Sequence, residues 1–267
     1  MIWQCTDKQI EYGDKVLIMG IVNVTPDSFS DGGCHFDSDG AVDYALQLVS
    51  EGAHIIDLGA QSTRPGYTEI SPQQEWQRLE AVIKKLRGRT DVPISVDTYY
   101  PFVAENALKN GANIINDVSG EISPKMAEIV KQSRCGWVLM HNGSGDCDKI
   151  ADFFKNSLSL CQKYGINKSQ LCFDMGIGFG KSYEQNLSLI ANVKSYKVQG
   201  IPLLLGTSRK RVIGTASQQA DATQRTYGNI AADTVAIMGG VDIIRLHDVK
   251  NEKQGILTAQ EIKKWTK

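Results

Sequence analysis

Residues 20–33 read GIVNVTPDSFSDGG, and this stretch predicts a buried strand together with the loop that follows it. It completes an apolar run, 16–24, and then enters a segment rich in Pro, Asp, Ser and Gly, which neither a strand nor a helix can continue. Asn23 stands among the last strand residues, although Asn is uncommon in strands and a buried amide needs hydrogen-bond partners. A turn-initiating Asn would explain this position alone, but an apolar strand that ends in a polar residue recurs about seven more times.

The apolar runs are short and bounded by Gly, Pro, Asp or Asn, as in parallel strands that are buried on both faces. The predicted strands are 16–24, 54–58, 93–96, 113–115, 136–140, 171–173, 202–205 and 242–246. Segments with a helical period follow them, at 38–51, 72–86, 100–110, 124–132, 148–164, 183–193, 223–238 and 252–265.

Eight β-then-α units predict a (β/α)8 TIM barrel, an α/β fold, formed by a single domain over 1–267. Residues 1–15 exceed what the first strand needs, and we expect them to close the bottom of the barrel. The alternative is a doubly wound open sheet. That alternative is weakened because no G-x-G-x-x-G motif follows the first strand.

The composition limits the classes of binding partner and indicates the cellular compartment. A net charge of -1 and a pI near 6.4 argue against nucleic acid and membrane surfaces, which usually need a broad basic face. The N-terminus has no apolar signal region, so we expect a cytoplasmic protein. The six cysteines form no C-x-x-C pair and the four histidines no His-x-x-x-His spacing, so we expect reduced thiols and no transition-metal site.

Polar residues gather at or just beyond the predicted strand ends, where active sites of this barrel lie. They are Asn23, Asp57, Asp97, Asn116, Asp117, His141, Asp174, the segment 208–211, Arg245 and His247. Any single Asp or Asn could instead cap the following helix. Within the set, 209–211 reads RKR where a helix or tight turn should start, and cations oppose the dipole at a helix N-terminus. These three cations therefore predict an anionic ligand.

The last strand indicates how a phosphate could be bound. Arg245 and His247 stand two residues apart, so both side chains project to the same side of a strand. Together with Asn23 they could bind phosphate oxygens, either directly or through Mg2+, which prefers oxygen ligands. The alternative is that the Arg and His pair with Asp242 or Asp248.

The acidic residues indicate a second half of the site. Asp97 and Asp174, with Asn116, offer acceptors and one amide to a flat heterocycle that presents adjacent N–H donors. Two carboxylates also suit glycoside hydrolysis, but the four Trp form no cluster near these strand ends for stacking a sugar. We therefore expect an acidic side of the rim that binds a ring and a basic side that binds a phosphate chain.

Several of these stretches together resemble dihydropteroate synthase. They are 19–33 (MGIVNVTPDSFSDGG), 57–66 (DLGAQSTRPG), 95–98 (SVDT), 115–120 (INDVSG), 139–141 (LMH), 174–181 (DMGIGFGK), 206–210 (GTSRK) and 245–249 (RLHDV). The resemblance covers nearly the whole chain in order, and its first two motifs are highly specific. It implies a barrel enzyme of folate synthesis, a transferase that joins para-aminobenzoate to 6-hydroxymethyl-7,8-dihydropterin pyrophosphate with Mg2+. It further implies a homodimer and a sulfonamide target.

The resemblance also implies roles for individual residues. The pterin would be held by Asp97, Asn116, Asp174 and Lys210, with Met140 and Gly178 lining its slot. The diphosphate and its metal would be held by Asn23, Thr63, Arg245 and His247. Two loops that close over the reaction would include Phe29, Asp31, Arg64 and Pro65, and the para-aminobenzoate pocket would be shaped by residues around Thr63, Pro65, Lys210 and Arg211. The implied catalytic residues are Asn23, Asp97, Lys210, Arg245 and His247, with Asn23 as the metal ligand.

The sequence departs from the family pattern at three positions. Met175 stands where Pro usually follows the Asp, and Gln61 where the second loop often has Glu. Arg211 stands where Ser is common, beside the expected para-aminobenzoate carboxylate. Two other functions remain open, a methyltetrahydrofolate-to-corrinoid methyltransferase and a pterin-binding relative without catalysis. The diphosphate-binding residues argue against the first, and the intact loop motifs argue against the second.

Overall fold

The strands follow the predicted order along the chain. A computed structural model describes residues 1–25, 38–61, 69–144 and 147–266. Its strands are β1 (Ile2–Cys5), β2 (Lys8–Glu11), β3 (Leu17–Asn23), β4 (Ile55–Gly59), β5 (Ile94–Asp97), β6 (Ile114–Asp117), β7 (Gly136–Met140), β8 (Leu171–Asp174), β9 (Leu203–Leu205) and β10 (Ile243–Leu246). The strands β3 to β10 are parallel and close into a barrel, because β10 pairs with both β9 and β3. The (β/α)8 prediction is confirmed.

Helices follow the barrel strands along the chain. They are α1 (Ser38–Glu51), α2 (Pro72–Arg87), α3 (Pro101–Lys109), α4 (Pro124–Ser133), α5 (Cys147–Tyr164), α6 (Tyr183–Ala191), α7 (Arg211–Ala216), α8 (Thr226–Gly239) and α9 (Val249–Lys263). No helix in the described ranges is long and apolar enough to span a bilayer.

Helix ends differ from the prediction where a local cap decides them. The last helix was expected at 252–265 but begins at Val249, because the Asp248 carboxylate accepts a hydrogen bond from Asn251 N at 3.2 Å. The helix expected at 223–238 begins later, at Thr226, after a short 3-10 turn. Helix α7 has six residues, which is too short for a helical period to reveal.

The first fifteen residues close the bottom of the barrel, as expected. Strands β1 and β2 form an antiparallel hairpin. Trp3 is fully buried, and its indole N–H donates to the Gln170 carbonyl at 2.9 Å, just before β8. The hairpin shares one apolar cluster with strand residues, namely Trp3, Cys5, Ile10, Tyr12, Leu17, Met19, Ile55, Ile114, Val138, Cys172, Leu204 and Ile243. This cluster fills the lower half of the barrel interior.

Because strand side chains alternate, the predicted site residues point into the upper half of the barrel interior. A residue two positions beyond an inward-facing one points to the same side of its strand. Five strands have an apolar residue in the lower cluster, followed two positions later by Asp57, Asn116, Met140, Asp174 and Arg245 respectively. The barrel register therefore brings the predicted site residues together at the carboxyl ends of the strands.

The cysteines with described side chains are free thiols. They are Cys5, Cys135, Cys161 and Cys172, and all four are buried. Burial raises the pKa of Cys135 and of Cys161 to about 12, so both stay protonated at neutral pH. Cys135 directly precedes β7 and Cys172 lies within β8.

Candidate active site

Arg245 on β10 joins two carboxylates inside the upper barrel. Its Nε donates to Asp57 Oδ2 at 2.6 Å, and its Nη2 donates to Asp97 Oδ2 at 2.7 Å. Asn116 Nδ2 donates to the same Asp57 oxygen at 3.1 Å. The Arg245 side chain is 20% exposed and that of Asp57 is 0% exposed, so most of this network is shielded from water. The guanidinium still reaches the surface of the barrel opening.

In this network, burial and neighbouring opposite charges shift each pKa in opposite directions. Burial raises the pKa of Asp97 to about 7, although the neighbouring Arg245 opposes the rise. For Arg245 burial lowers the pKa, but Asp57 and Asp97 outweigh it and hold the pKa above its ordinary value. The guanidinium therefore stays charged at every physiological pH, and its positive charge offsets the repulsion between the Asp57 and Asp97 carboxylates.

Asp174 and Lys210 form the second charged pair of the rim. Burial raises the pKa of Asp174, while the opposite charge of Lys210 lowers it. Burial lowers the pKa of Lys210 to about 8, and Asp174 opposes that shift. Asp174 Oδ1 also accepts a hydrogen bond from Gly176 N at 2.8 Å, which fixes the carboxylate at the end of β8.

The segment after β8 contacts the side chain of Lys210. The Lys210 ammonium donates to the Ile177 carbonyl and lies 4.8 Å from the centre of the Phe179 ring. Gly178 has φ +82°, and a Cβ there would come within 3.1 Å of Lys210 Cδ. Glycine therefore permits both the backbone turn and the close approach of the lysine stem. The Lys181 ammonium stabilises the segment, because it donates to the carbonyls of His141, Gly176 and Phe179 at 3.1, 2.9 and 3.1 Å.

Ser208 and His247 connect the ends of β9 and β10. Ser208 Oγ lies 3.1 Å from His247 Nδ1 and accepts a hydrogen bond from His247 N at 3.2 Å. Asn23 ends β3 and is exposed. Arg211 is also exposed, at the first residue of α7.

Not every predicted residue takes a place in the opening. Asp117 ends β6 but caps the following turn, because its Oδ1 accepts from Ser119 N at 3.0 Å, as the capping alternative anticipated. His141 is buried against Phe153, and burial lowers its pKa to about 4, so the ring is neutral. The predicted residues Phe29, Asp31, Thr63, Arg64 and Pro65 lie outside the described residues.

One alternative is not observed for Arg245, and one expectation about the distribution of charge is corrected. Neither Asp242 nor Asp248 pairs with Arg245, since Asp242 bonds Lys197 and Leu203 N, and Asp248 caps α9. The acids and cations are also not segregated on opposite sides of the rim. They alternate, because Arg245 bonds two carboxylates directly and Lys210 faces a third, Asp174.

Sequence reasoning assigned no role to Asp57, Phe179 or Lys181. Asp57 stood in the set of strand-end residues, but nothing in the sequence showed that it holds Arg245 and Asn116. Phe179 and Lys181 lie in the quoted stretch 174–181, whose Gly spacing indicates a tight loop. That spacing was the available signal that the segment shapes the site.

Comparisons with known proteins agree with this geometry. Residues 19–247 match the pterin binding enzyme family. The dihydropteroate synthase of Bacillus subtilis is 41% identical over 248 residues, which cover 90% of this chain and 86% of the relative.

Solved structures give the same result. Dihydropteroate synthase from Clostridium difficile, determined in the presence of pteroic acid, has a TM-score of 0.90 and 42% identity, covering 95% of this chain and 98% of that one. The Xanthomonas albilineans enzyme with 4-aminobenzoic acid has a TM-score of 0.92 and 36% identity, covering 100% and 99%. The chain therefore belongs to the pterin-binding enzyme family and, within it, to the dihydropteroate synthases, which are transferases of folate synthesis.

Proposed function

We propose that the chain joins the amine nitrogen of para-aminobenzoate to the exocyclic carbon of 6-hydroxymethyl-7,8-dihydropterin pyrophosphate. A C–N bond forms, the C–O bond to pyrophosphate breaks, the pyrophosphate leaves with the bonding electrons, and the amine proton passes to solvent. The observation that carries this proposal is the convergence of Asp97, Asp174, Lys210 and Arg245 at one opening of the barrel.

Each part of that constellation suits one requirement of the reaction. Asp174 and Asn116 offer acceptors and an amide to the edge of the pterin ring. Arg245 and His247 would stabilise the negative charge that builds on the leaving pyrophosphate. The arylamine is neutral at pH 7, so it needs positioning more than a general base. Lys210, which lies over the Phe179 ring, would border the pterin on the side of the β8 segment.

We propose Mg2+ as the cofactor that binds at the same opening. Asn23 is exposed at the end of β3, and its amide oxygen is the kind of ligand that Mg2+ accepts alongside substrate phosphates and water. Asn23 would hold the ion, and Mg2+ supplies charge neutralisation for the leaving pyrophosphate.

A pyrophosphate-release assay tests the reaction. Pyrophosphate should appear only when the pterin pyrophosphate, Mg2+ and para-aminobenzoate are all present, in a 1:1 ratio with the new C–N product. Release without para-aminobenzoate would indicate simple hydrolysis and would contradict the proposal. Methyl transfer to a corrinoid would instead support the other pterin-binding class.

Arg211 provides a prediction specific to this chain. We propose that its guanidinium pairs with the para-aminobenzoate carboxylate, since it is exposed at the start of α7 next to Lys210. Arg211→Ser should raise the KM for para-aminobenzoate by about 3- to 10-fold, the effect of one solvent-accessible ion pair, and leave the KM for the pterin unchanged. Steady-state kinetics with each substrate varied in turn measures both values. An unchanged KM for para-aminobenzoate would reject the pairing.

The oligomeric state and the cellular compartment of the protein are two further proposals. Tyr227 and Val235 on α8 are 85% and 48% exposed, and they lie about 80° apart around the helix, which supports a homodimer through this face. Sedimentation velocity should give twice the chain mass of 29.3 kDa, and a monomer would contradict it. Buried free thiols support a reducing cytoplasm, which subcellular fractionation tests.

A further inference from the structure

Two carboxyl groups are buried outside the site, between α8 and α9. Asp233 on α8 and Glu252 on α9 are each 1% exposed. The two helices lie very close together, since a Cβ on Gly255 would come within 2.6 Å of Ile230 Cγ2. These acids therefore occupy a tight interface from which bulk water is excluded, and their charges are costly there.

The hydrogen bonds around the two acids leave one oxygen of each without a donor. Asp233 Oδ1 accepts from the Thr207 hydroxyl at 2.7 Å, and Glu252 Oε1 accepts from Asn229 Nδ2 at 3.3 Å. Asp233 Oδ2 and Glu252 Oε2 are buried and receive no hydrogen bond from an N–H or hydroxyl in the described part of the chain. One proton on either carboxyl satisfies both, because a protonated carboxyl donates to its neighbour.

The surrounding charges favour such a shared proton. Burial raises the pKa of Asp233 to about 7, opposed by the Thr207 and Glu252 hydrogen bonds. Burial and the Asp233 charge raise the pKa of Glu252 to about 8, opposed by Asn229. Of the other charged groups that face Glu252, Asp248 at the start of α9 raises this pKa and Arg209 in the turn after β9 lowers it. At neutral pH the pair therefore carries one proton and one negative charge.

Thr207 links this pair to the active site. It is fully buried and begins a turn in which Lys210 N donates to the Thr207 carbonyl at 3.0 Å. Arg209 in that turn has φ 61°, a left-handed conformation that costs a non-glycine residue energy. The turn presents Ser208 to His247 and Lys210 to the β8 segment. Its geometry must therefore be imposed by neighbours, and the Thr207 hydroxyl is one such anchor.

We propose that Asp233 and Glu252 are positioning residues, whose shared proton lets Asp233 hold Thr207 and thereby fixes the turn that presents Lys210 to the pterin substrate. This inference rests on the reaction proposed above. When the shared proton is lost, two adjacent carboxylates repel each other across α8 and α9, and the Thr207 anchor is released. Because both pKa values are raised above their unfolded values, the stabilisation is complete at low pH and is lost as pH rises through about 7 to 8.

Glu252→Gln tests the proposal, because its amide donates permanently to Asp233 and cannot titrate. At pH 6.5 the KM for the pterin pyrophosphate should match wild type within about 2-fold. At pH 9 it should be about 3- to 10-fold lower than wild type, since one pH unit beyond a pKa of about 8 allows at most about tenfold linkage. Lys210 titrates in both proteins, so the ratio of the two KM values isolates the carboxyl pair.

Two variants at position 207 separate positioning from general stability. Thr207→Val removes the hydroxyl and should raise the pterin KM at every pH, whereas Thr207→Ser keeps it and should restore the wild-type value. Parallel KM profiles for wild type and Glu252→Gln would overturn the proposal, even if their melting temperatures diverge at high pH. The dissociation constant of the pterin pyrophosphate, measured without para-aminobenzoate, gives the same test if turnover itself is absent, so the two proposals fail separately.

Discussion

Arg245→Met should lower the free energy of unfolding by about 3–5 kcal/mol at pH 8.5, the usual effect of removing one partner from a buried ion pair. The substitution keeps most of the side-chain volume but leaves Asp57 and Asp97 without their shared cation. Catalysis should fall by at least about 100-fold, because charge on the leaving pyrophosphate loses a preorganised donor. Urea unfolding and the pyrophosphate assay measure the two effects.

The pH dependence of this loss gives a sharper test. The pKa of Asp97 is already about 7 with Arg245 present, and removing the cation raises it further. A carboxyl with a raised pKa stabilises the fold at low pH and loses that contribution as pH rises through the folded value. The destabilisation should therefore be smaller at pH 5.5 than at pH 8.5. Equal losses at both values would mean that the carboxylates find other partners.

Lys197→Met is the matched control for charge removal. Its ammonium pairs with Asp242, but the lysine side chain is 28% exposed and Asp242 keeps a hydrogen bond from Leu203 N at 2.8 Å. We therefore expect a loss of about 1 kcal/mol or less, with activity retained. A loss as large as that of Arg245→Met would show that any buried cation has this effect.

Asp174→Asn should weaken binding of the pterin pyrophosphate by about 10- to 100-fold, since a hydrogen bond to a charged group contributes about 1.5–3 kcal/mol. The carboxylate is 6% exposed and is held by Gly176 N, so the amide should occupy the same place without its charge. Lys210 also loses the charge that opposes the lowering of its pKa from burial. The alkaline loss of affinity should thus begin below pH 8. Calorimetric titration across pH 6–9 measures both effects.

Asp117→Asn makes the same chemical change at the end of β6, two strands away in the barrel, and serves as the control. Burial raises the pKa of Asp117 to about 6, and its carboxylate caps the turn at Ser119, although its charge also contributes to the raised pKa of Asp97. Pterin affinity should stay within about 2-fold of wild type. Equal weakening by the two variants would argue against a direct role for Asp174.

The sequence was sufficient to predict the barrel and the positions of its polar strand ends. Both depend on local periodicity: continuous apolar runs mark buried strands, and the alternation of side chains sets which residues face inward. Arg245 and Asp174 could therefore be placed at the opening from their positions alone.

The partners of these residues could not be predicted. Asp57 and Arg245 are 188 residues apart, and only the closed register brings them into contact. Spacing along the chain offered only nearby Asp242 and Asp248 as alternative partners, and the structure assigns both elsewhere. The pair of Asp233 and Glu252 was missed for a related reason, since an acid on an amphipathic helix usually indicates a solvated face.

The pairing of β10 with β3 has a consequence for biosynthesis. The open edge of β3 is paired only after residues 243–246 leave the ribosome, because β10 is the strand that pairs with that edge. Arg245 arrives with the same four residues, so Asp57 and Asp97 are neutralised only after the other seven barrel strands have been synthesised. Synthesis of β10 therefore completes the hydrogen bonding of the barrel and supplies the central cation in one step. Chaperones that shield exposed strand edges would act before that step.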